Sequence, residues 1–312
     1  MLPDISYKEM RVIASRHLVL SSLFFLPQPS RIAFERRLRG KEEYRKLQEA
    51  DWVLLSWGKS GRTWFRTMLS HFYKVKYGLP DHRMLEFDNL HRLNPDIPRV
   101  FFTHDNYLRD YLESGETLDH FIGKKVVLLV RDPRDVAVSQ YFQWRYRMRP
   151  RKKPLNGYPS HGSDVDIFDF VRNPNCGAPR IVEYLNRWAR AIDTMGEDLL
   201  IIRYEDMKAD PHKIVKQVFE FTSSPGTDSQ VDAAVDYAAY DNMKKREAKN
   251  NKTIGAQRVN PGDKNNPDSF KVRRGKVGGY KDYFDETQLT QVDEMVEGKL
   301  DPLFGYTTPA SE

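Results

Sequence analysis

The stretch WVLLSWGKSGRTW, residues 52–64, decides how this chain is read. Val53, Leu54 and Leu55 form an apolar run that stops at Trp57 and Gly58, and an amphipathic segment opens at Thr63. That pattern predicts a buried strand, a tight turn and a helix. The unpaired N–H groups of the helix start, its dipole and the whole charge of Lys59 then converge on the turn and make it an anion site. An ordinary strand-to-helix turn would leave Lys59 in solvent, whereas a Lys-Ser pair between Gly58 and Gly61 points to a phosphate loop.

Beyond the loop, Trp64, Phe65, Met68, Leu69, Phe72 and Tyr73 recur at helical spacing, and Gly78 with Pro80 ends the segment. Residues 81–97 read as polar loop. Val100 to Thr103 is a short strand, and His104 and Asp105 stand where the chain leaves it. Val126 to Val130 is an uninterrupted apolar run of the kind a central parallel strand shows, and it ends at Arg131. Asp132 and Pro133 are a helix cap and a first helical residue, which puts Ser139 in the second turn. Asp210 and Pro211 repeat that start after the strand in DLLIIRYEDM, which ends at Tyr204.

Strand and helix thus alternate, which predicts an α/β fold: a doubly wound, mainly parallel sheet flanked by helices, P-loop-NTPase-like in its first turn. In such sheets ligands sit beyond the carboxyl ends of the strands, so Lys59, His104 and Arg131 should open onto one crevice. From Lys244 to Tyr283 the chain is polar and rich in Gly, Asn and Lys, as a lid ordering on a ligand would be. RYRMRPRKK, residues 145–153, reads as a solvated basic surface loop.

The 312 residues are 39% hydrophobic and 12% aromatic, enough for a sizeable core, and no Ser/Gly-rich linker divides them. One large domain over 51–312, preceded by a helical extension over 1–50, is the expected organisation. Net charge is only +6, which suits an acidic ligand or an anionic membrane, and no nucleic-acid motif appears. The single cysteine, Cys176, excludes an internal disulfide and argues against a structural zinc site. HLVLSSLFFLP, residues 17–27, is too short to span a bilayer. It reads as a buried helix or, because seven Lys or Arg follow between Arg31 and Lys46, as part of a peripheral helix on an anionic membrane.

The loop is not a Walker A sequence, since that would place a glycine where Val53 stands. Asp132, flanked by Arg131 and Arg134, would make a poor Mg²⁺ site. The crevice therefore calls on protein cations: Lys59, Arg131, Arg273 and Arg274 would surround a ligand with several phosphates, with His104 placed to serve as a base. A P-loop kinase of a small metabolite and a non-catalytic adenine-nucleotide sensor are the competing readings.

In these residues the chain resembles sulfotransferases that use 3′-phosphoadenosine 5′-phosphosulfate (PAPS). GKSGRTW resembles the loop that binds the 5′-phosphosulfate, VVLLVRDPRDVAVSQYF the segment that binds the 3′-phosphate, and RYED and RRGKVGGYKDYF two further cofactor segments. The resemblance implies that Lys59, Ser60, Gly61, Thr63 and Trp64 meet the 5′-phosphate and adenine, with added charge from Arg62. It gives the 3′-phosphate to Arg131, Ser139, Arg273, Arg274 and Gly275, and the adenine pocket to Tyr204, Tyr240 and Met243. His104 would be the general base, and Ser139 would engage Lys59 until the acceptor arrives. Three departures stand out: Trp57-Gly58 in place of Tyr-Pro, Phe102 in place of lysine, and Ala239 in place of serine. A cytoplasmic enzyme is implied, needing no metal. Its acceptor would be an alcohol or amine on a glycan, lipid head group or small molecule, met at the inner membrane surface if the N-terminal segment docks there.

Overall fold

The computed structural model describes residues 7–80, 84–248 and 260–307. Its sheet has four parallel strands, β1 (Trp52–Ser56), β2 (Val100–Thr103), β3 (Lys125–Val130) and β4 (Leu199–Arg203), in the order β2-β1-β3-β4. The chain moves one way from β1 to β2 and the other way from β3 to β4, so the switch point lies between β1 and β3. Leu55 pairs with Thr103, Ser56 with Leu129 and Val130 with Arg203. In that register Trp57, His104, Arg131 and Tyr204 all leave the sheet at one edge.

The first five helices in the chain are α1 (Tyr7–Ser22), α2 (Gln28–Glu49), α3 (Arg62–Tyr77), α4 (Leu108–Leu112) and α5 (Pro133–Tyr146). Both faces of the sheet are covered, which is why its central strands are apolar without alternation. Val53, Leu55, Val126, Leu128 and Val130 pack on α5 and on the Ala178–Arg190 and Glu286–Glu297 helices. Trp52, Leu54, Val127 and Leu129 pack on α3 and on the Pro211–Phe221 and Asp228–Tyr237 helices. The two predicted caps are present: Asp132 accepts from the Arg134 N–H at 2.9 Å and Asp210 from the Lys213 N–H at 3.0 Å. Cys176 is buried with Trp144 and Phe170 in a small satellite cluster, and burial pushes its thiol up to about 12.

Three readings change. The buried-helix reading of residues 17–27 does not hold, because Leu18, Phe24 and Phe25 are 73%, 77% and 69% exposed around the end of α1. The basic run at 145–153 is only partly solvated. Arg147 is tucked against the buried Glu247 at 3.1 Å, Arg151 pairs with Glu35 at 2.7 Å, and Lys153 is buried beside Trp144. The polar stretch from Lys244 begins inside a helix, Tyr240–Ala248, and residues 260–283 lie on the domain, with Glu247 accepting from the Lys271 and Val272 N–H groups at 2.6 and 2.8 Å. The middle of the expected lid, residues 249–259, falls outside the described residues, as do residues 1–6, 81–83 and 308–312.

α2 is part of the packed body. Leu47 is fully buried in the core, and a Cβ at Gly40 would lie 2.2 Å from the Tyr107 carbonyl oxygen, so only glycine lets α2 pass this close to the start of α4.

Candidate active site

A cavity of about 1210 Å³ opens at the carboxyl edge of the sheet. Every predicted site residue lines it except Ser60, which is buried. The turn after β1 is built as the glycines require. Lys59 holds a left-handed φ of 75°, Gly61 holds 99°, and a Cβ at Gly61 would sit 2.6 Å from the Tyr204 ring. α3 starts at Arg62, directly after this turn, so its free amides face the cavity.

Lys59 is half-buried. Among the described residues no hydrogen-bond or ion-pair partner holds its ammonium, and no bond joins it to Ser139, which stands on the cavity wall one helical turn before Gln143. Burial, then the charges of Arg147, Arg131 and Arg273, push its pKa down to about 7. A cation under that pressure is a site that favours an anion. Arg131 crosses the switch point beside it, lying 4.3 Å over the Tyr204 ring and donating to the Asp135 carboxylate at 3.1 Å and to the Lys276 carbonyl at 3.1 Å.

Arg273 and Arg274 reach the same wall from the far end of the chain. Arg273 stacks 3.8 Å over Phe142 and donates to Tyr283, and Arg274 pairs with Asp282, which also takes Lys276 at 2.8 Å. Gly275 holds φ +60° with Tyr240 3.2 Å from where its Cβ would stand, so the loop lies flat on that ring. Trp64, Tyr204, Tyr240 and Met243 form an aromatic and thioether pocket next to it. The Trp64 indole N–H is anchored on the Ala238 carbonyl at 2.9 Å, and Trp64 meets Tyr204 edge-on at 5.8 Å. Aromatic surfaces of this kind accept a flat heterocycle.

His104 closes the other side of the turn. A Cβ at Gly58 would come within 4.0 Å of the imidazole and 3.1 Å of Gln140 Oε1. The His104 Nδ1 lies 2.5 Å from the Ser56 carbonyl oxygen, which can only accept, so Nδ1 carries the proton and Nε2 the lone pair. Burial, then the charge of Arg62, push its pKa down to about 3. Arg62 lies on the base side of the cavity, where its guanidinium donates to the Thr103 carbonyl at 2.7 Å and to His104 Nε2 at 2.7 Å.

Several residues of the site carry no readable signal in the sequence. Asp135 accepts from the Gly278 and Tyr280 N–H groups, both at 2.9 Å, and so docks the 274–280 loop on α5. Its place as the last residue of RDPRD is the one mark it has. Gln140 lines the cavity with a buried Oε1 that has no partner among the described residues. Glu43 on α2 also lines it, accepts from the Thr103 hydroxyl at 3.2 Å, and is pushed up to about 7 by burial and by Asp105. Among the described residues, no cluster of His, Cys, Asp or Glu is arranged to hold a metal ion.

The same cavity is also lined by Arg109, Glu116, Arg180 and Glu183, with the buried Arg187 held on Asp105 at 2.7 Å.

Comparison with known proteins agrees with this geometry. A sequence model described as the sulfotransferase domain matches residues 49–304. Human Sulfotransferase 6B1 is 26% identical over 302 residues, 93% of this chain and 90% of that one. Cytosolic sulfotransferase 10 of Arabidopsis thaliana is also 26% identical, over 81% of this chain and 79% of its own length. Among solved structures, a mouse sulfotransferase complexed with PAP superposes with a TM-score of 0.52 at 20% identity, over 83% of this chain and 89% of that one. Retinol dehydratase in a complex with retinol and PAP superposes with a TM-score of 0.51 at 17% identity, over 79% and 80%.

Proposed function

This chain belongs to the sulfotransferase family, and from that premise we propose that it moves the sulfuryl group of PAPS to a hydroxyl or amine of a polar acceptor, with His104 as general base. The observation that carries the reading is that Lys59 and His104 flank the same turn at the switch point of the sheet, on one cavity. Arg131, Arg273, Arg274, Gly275 and Ser139 would hold the 3′-phosphate. Thr63, Gly61 and the loop amides would take the 5′-phosphate, and Trp64, Tyr204, Tyr240 and Met243 the adenine. The acceptor O–H gives its proton to Nε2 of His104 as its oxygen bonds to sulfur. The bond from sulfur to the bridging oxygen breaks, and the electron pair stays on that oxygen, where Lys59 meets the charge as it develops.

The charged residues Arg109, Glu116, Arg180 and Glu183 on the cavity wall suit a glycan, a lipid head group or another polar alcohol better than a bare phenol. We also assign residues 17–46 to contact with an anionic membrane from the cytoplasmic side. Leu18, Phe24 and Phe25 are exposed there, the basic run from Arg31 to Lys46 follows them in the sequence, and Ile32 and Arg36 of the same segment line the cavity. Among the described residues no helix is long and apolar enough to cross a bilayer, so the contact would be peripheral.

The direct test is incubation with labelled PAPS and a cell extract, followed by mass spectrometry of what gains sulfate. His104→Ala should abolish transfer while binding adenosine 3′,5′-bisphosphate (PAP) nearly as well as the parent; retained transfer would remove His104 from the role. In a thermal-shift assay PAP should stabilise the protein more than Mg-ATP, and the reverse order would favour a kinase. For the membrane, the full chain should float with anionic vesicles and not with neutral ones. The paired change Phe24→Ser and Phe25→Ser should abolish flotation, and unchanged partitioning would refute the docking.

A further inference from the structure

Arg62 occupies the one atom of His104 that the proposed chemistry needs. The Nδ1 proton is committed to the Ser56 carbonyl, so the lone pair on Nε2 is the only basic position, and the Arg62 guanidinium donates to it at 2.7 Å. A second bond to the Thr103 carbonyl at 2.7 Å fixes the direction from which Arg62 approaches. While this contact stands, neither water nor an acceptor can pass a proton to Nε2.

There is a place for Arg62 to go. Glu43 lies on the same cavity wall, linked through the hydroxyl of the residue whose carbonyl Arg62 already holds, and its carboxylate feels the Arg62 charge. Turning toward Glu43 would uncover Nε2 and favour the charged form of that carboxyl as the partner of the guanidinium. Lys271 is the other cation that acts on His104, and it lies on the cavity wall as well.

We propose that Arg62 is a positioning residue that shields the base: it covers His104 Nε2 until a bound acceptor hydroxyl displaces it toward Glu43. This rests on the assignment of His104 as the base. The selectivity follows from binding energy. An acceptor held along the cavity can spend contacts made far from sulfur on displacing the guanidinium, and a lone water has no such contacts. The shield thereby suppresses transfer of the sulfuryl group to water, a reaction in which the water oxygen would bond to sulfur as its proton passes to Nε2, and the bridging S–O bond would break with its electron pair left on the departing PAP, giving sulfate.

The test compares the parent with Arg62→Ala and Arg62→Lys, using purified full-length protein and three readouts. In histidine NMR spectra of the protein alone, the His104 titration should move up by about one unit or more in Arg62→Ala. Hydrolysis of PAPS without acceptor should rise by about tenfold, and the gain should vanish in the double variant Arg62→Ala with His104→Ala. Arg62→Lys keeps a cation at the helix start without the planar fork and should show a smaller rise in hydrolysis. An unmoved His104 titration, or hydrolysis equal to or below the parent's, overturns the proposal. Weakened PAP binding with no gain in hydrolysis would make Arg62 a phosphate ligand and overturn it too. The base assignment fails separately, if the single variant His104→Ala still transfers sulfate to an acceptor.

Discussion

Lys59 shows how a single residue records its ligand before meeting it. Its pKa is held near 7 by burial and by the three arginines around it, so above that pH much of the free protein has a neutral Lys59. Phosphate monoesters are dianionic there, and a bound dianion drives the lysine back to its charged form. The sign follows: below about pH 7 the charge is already present and binding costs nothing extra, whereas above it a proton must be taken up with the ligand. PAP affinity is therefore expected to fall as pH rises from 7 to 9, by up to about tenfold per unit. Calorimetry at pH 8 in buffers of different ionisation enthalpy should show net proton uptake. Affinity that stays flat over this range would mean that Lys59 does not sense the ligand. The sequence made Lys59 legible because its neighbours are glycines and a strand end. It hid Glu43 and Gln140, because a carboxylate or an amide on a helix looks the same whether it faces a cavity or water.

At the scale of the element, the loop that follows Arg273 depends on α5 more than on itself. Asp135 is 3% exposed and accepts two backbone N–H groups of that loop together with Arg131. Asp135→Ala leaves those groups without their acceptor, at a cost of roughly 2–4 kcal/mol in stability. Urea unfolding should show that loss, and PAP binding should weaken by tenfold or more because Arg131 and the loop lose their common anchor. Gly61→Ala tests the opposite end of the site, where φ is positive and the Tyr204 ring stands in the way of a Cβ. Its melting temperature should drop, and its PAP affinity should fall further than the stability change alone explains. The strands and the helix starts were legible, since apolar runs and Asp-Pro pairs are local signals. Arg147 was not: it looks like one of six basic residues in a solvated run, and its partner Glu247 lies a hundred positions away.

For the whole molecule, the N-terminal fifty residues divide in function at Pro27. α1 touches the remainder through half-buried ion pairs such as Arg16 with Glu42 and Lys46 with Glu9, while α2 puts Leu47 into the core and Gly40 against Tyr107. Removing residues 1–26 should therefore lower the melting temperature by no more than a few degrees, whereas removal of residues 1–48 should prevent folding. Differential scanning calorimetry on both truncations decides this, and equal losses would mean that α1 is as structural as α2. The packing of α2 was hidden in the sequence because its buried positions are Glu35, Gly40 and Leu47, which make no apolar stripe to read.

Cys176 has a practical consequence. Its thiol is 1% exposed and largely protonated at any workable pH, so the parent chain behaves toward maleimides and spin labels as if it had no cysteine. Any cysteine introduced at the surface becomes a unique handle without first rebuilding the core. An environment-sensitive fluorophore at Phe25 would report bilayer contact. A pair of labels on α1 and on the Glu286–Glu297 helix would measure whether the N-terminal helix swings when the protein meets a vesicle.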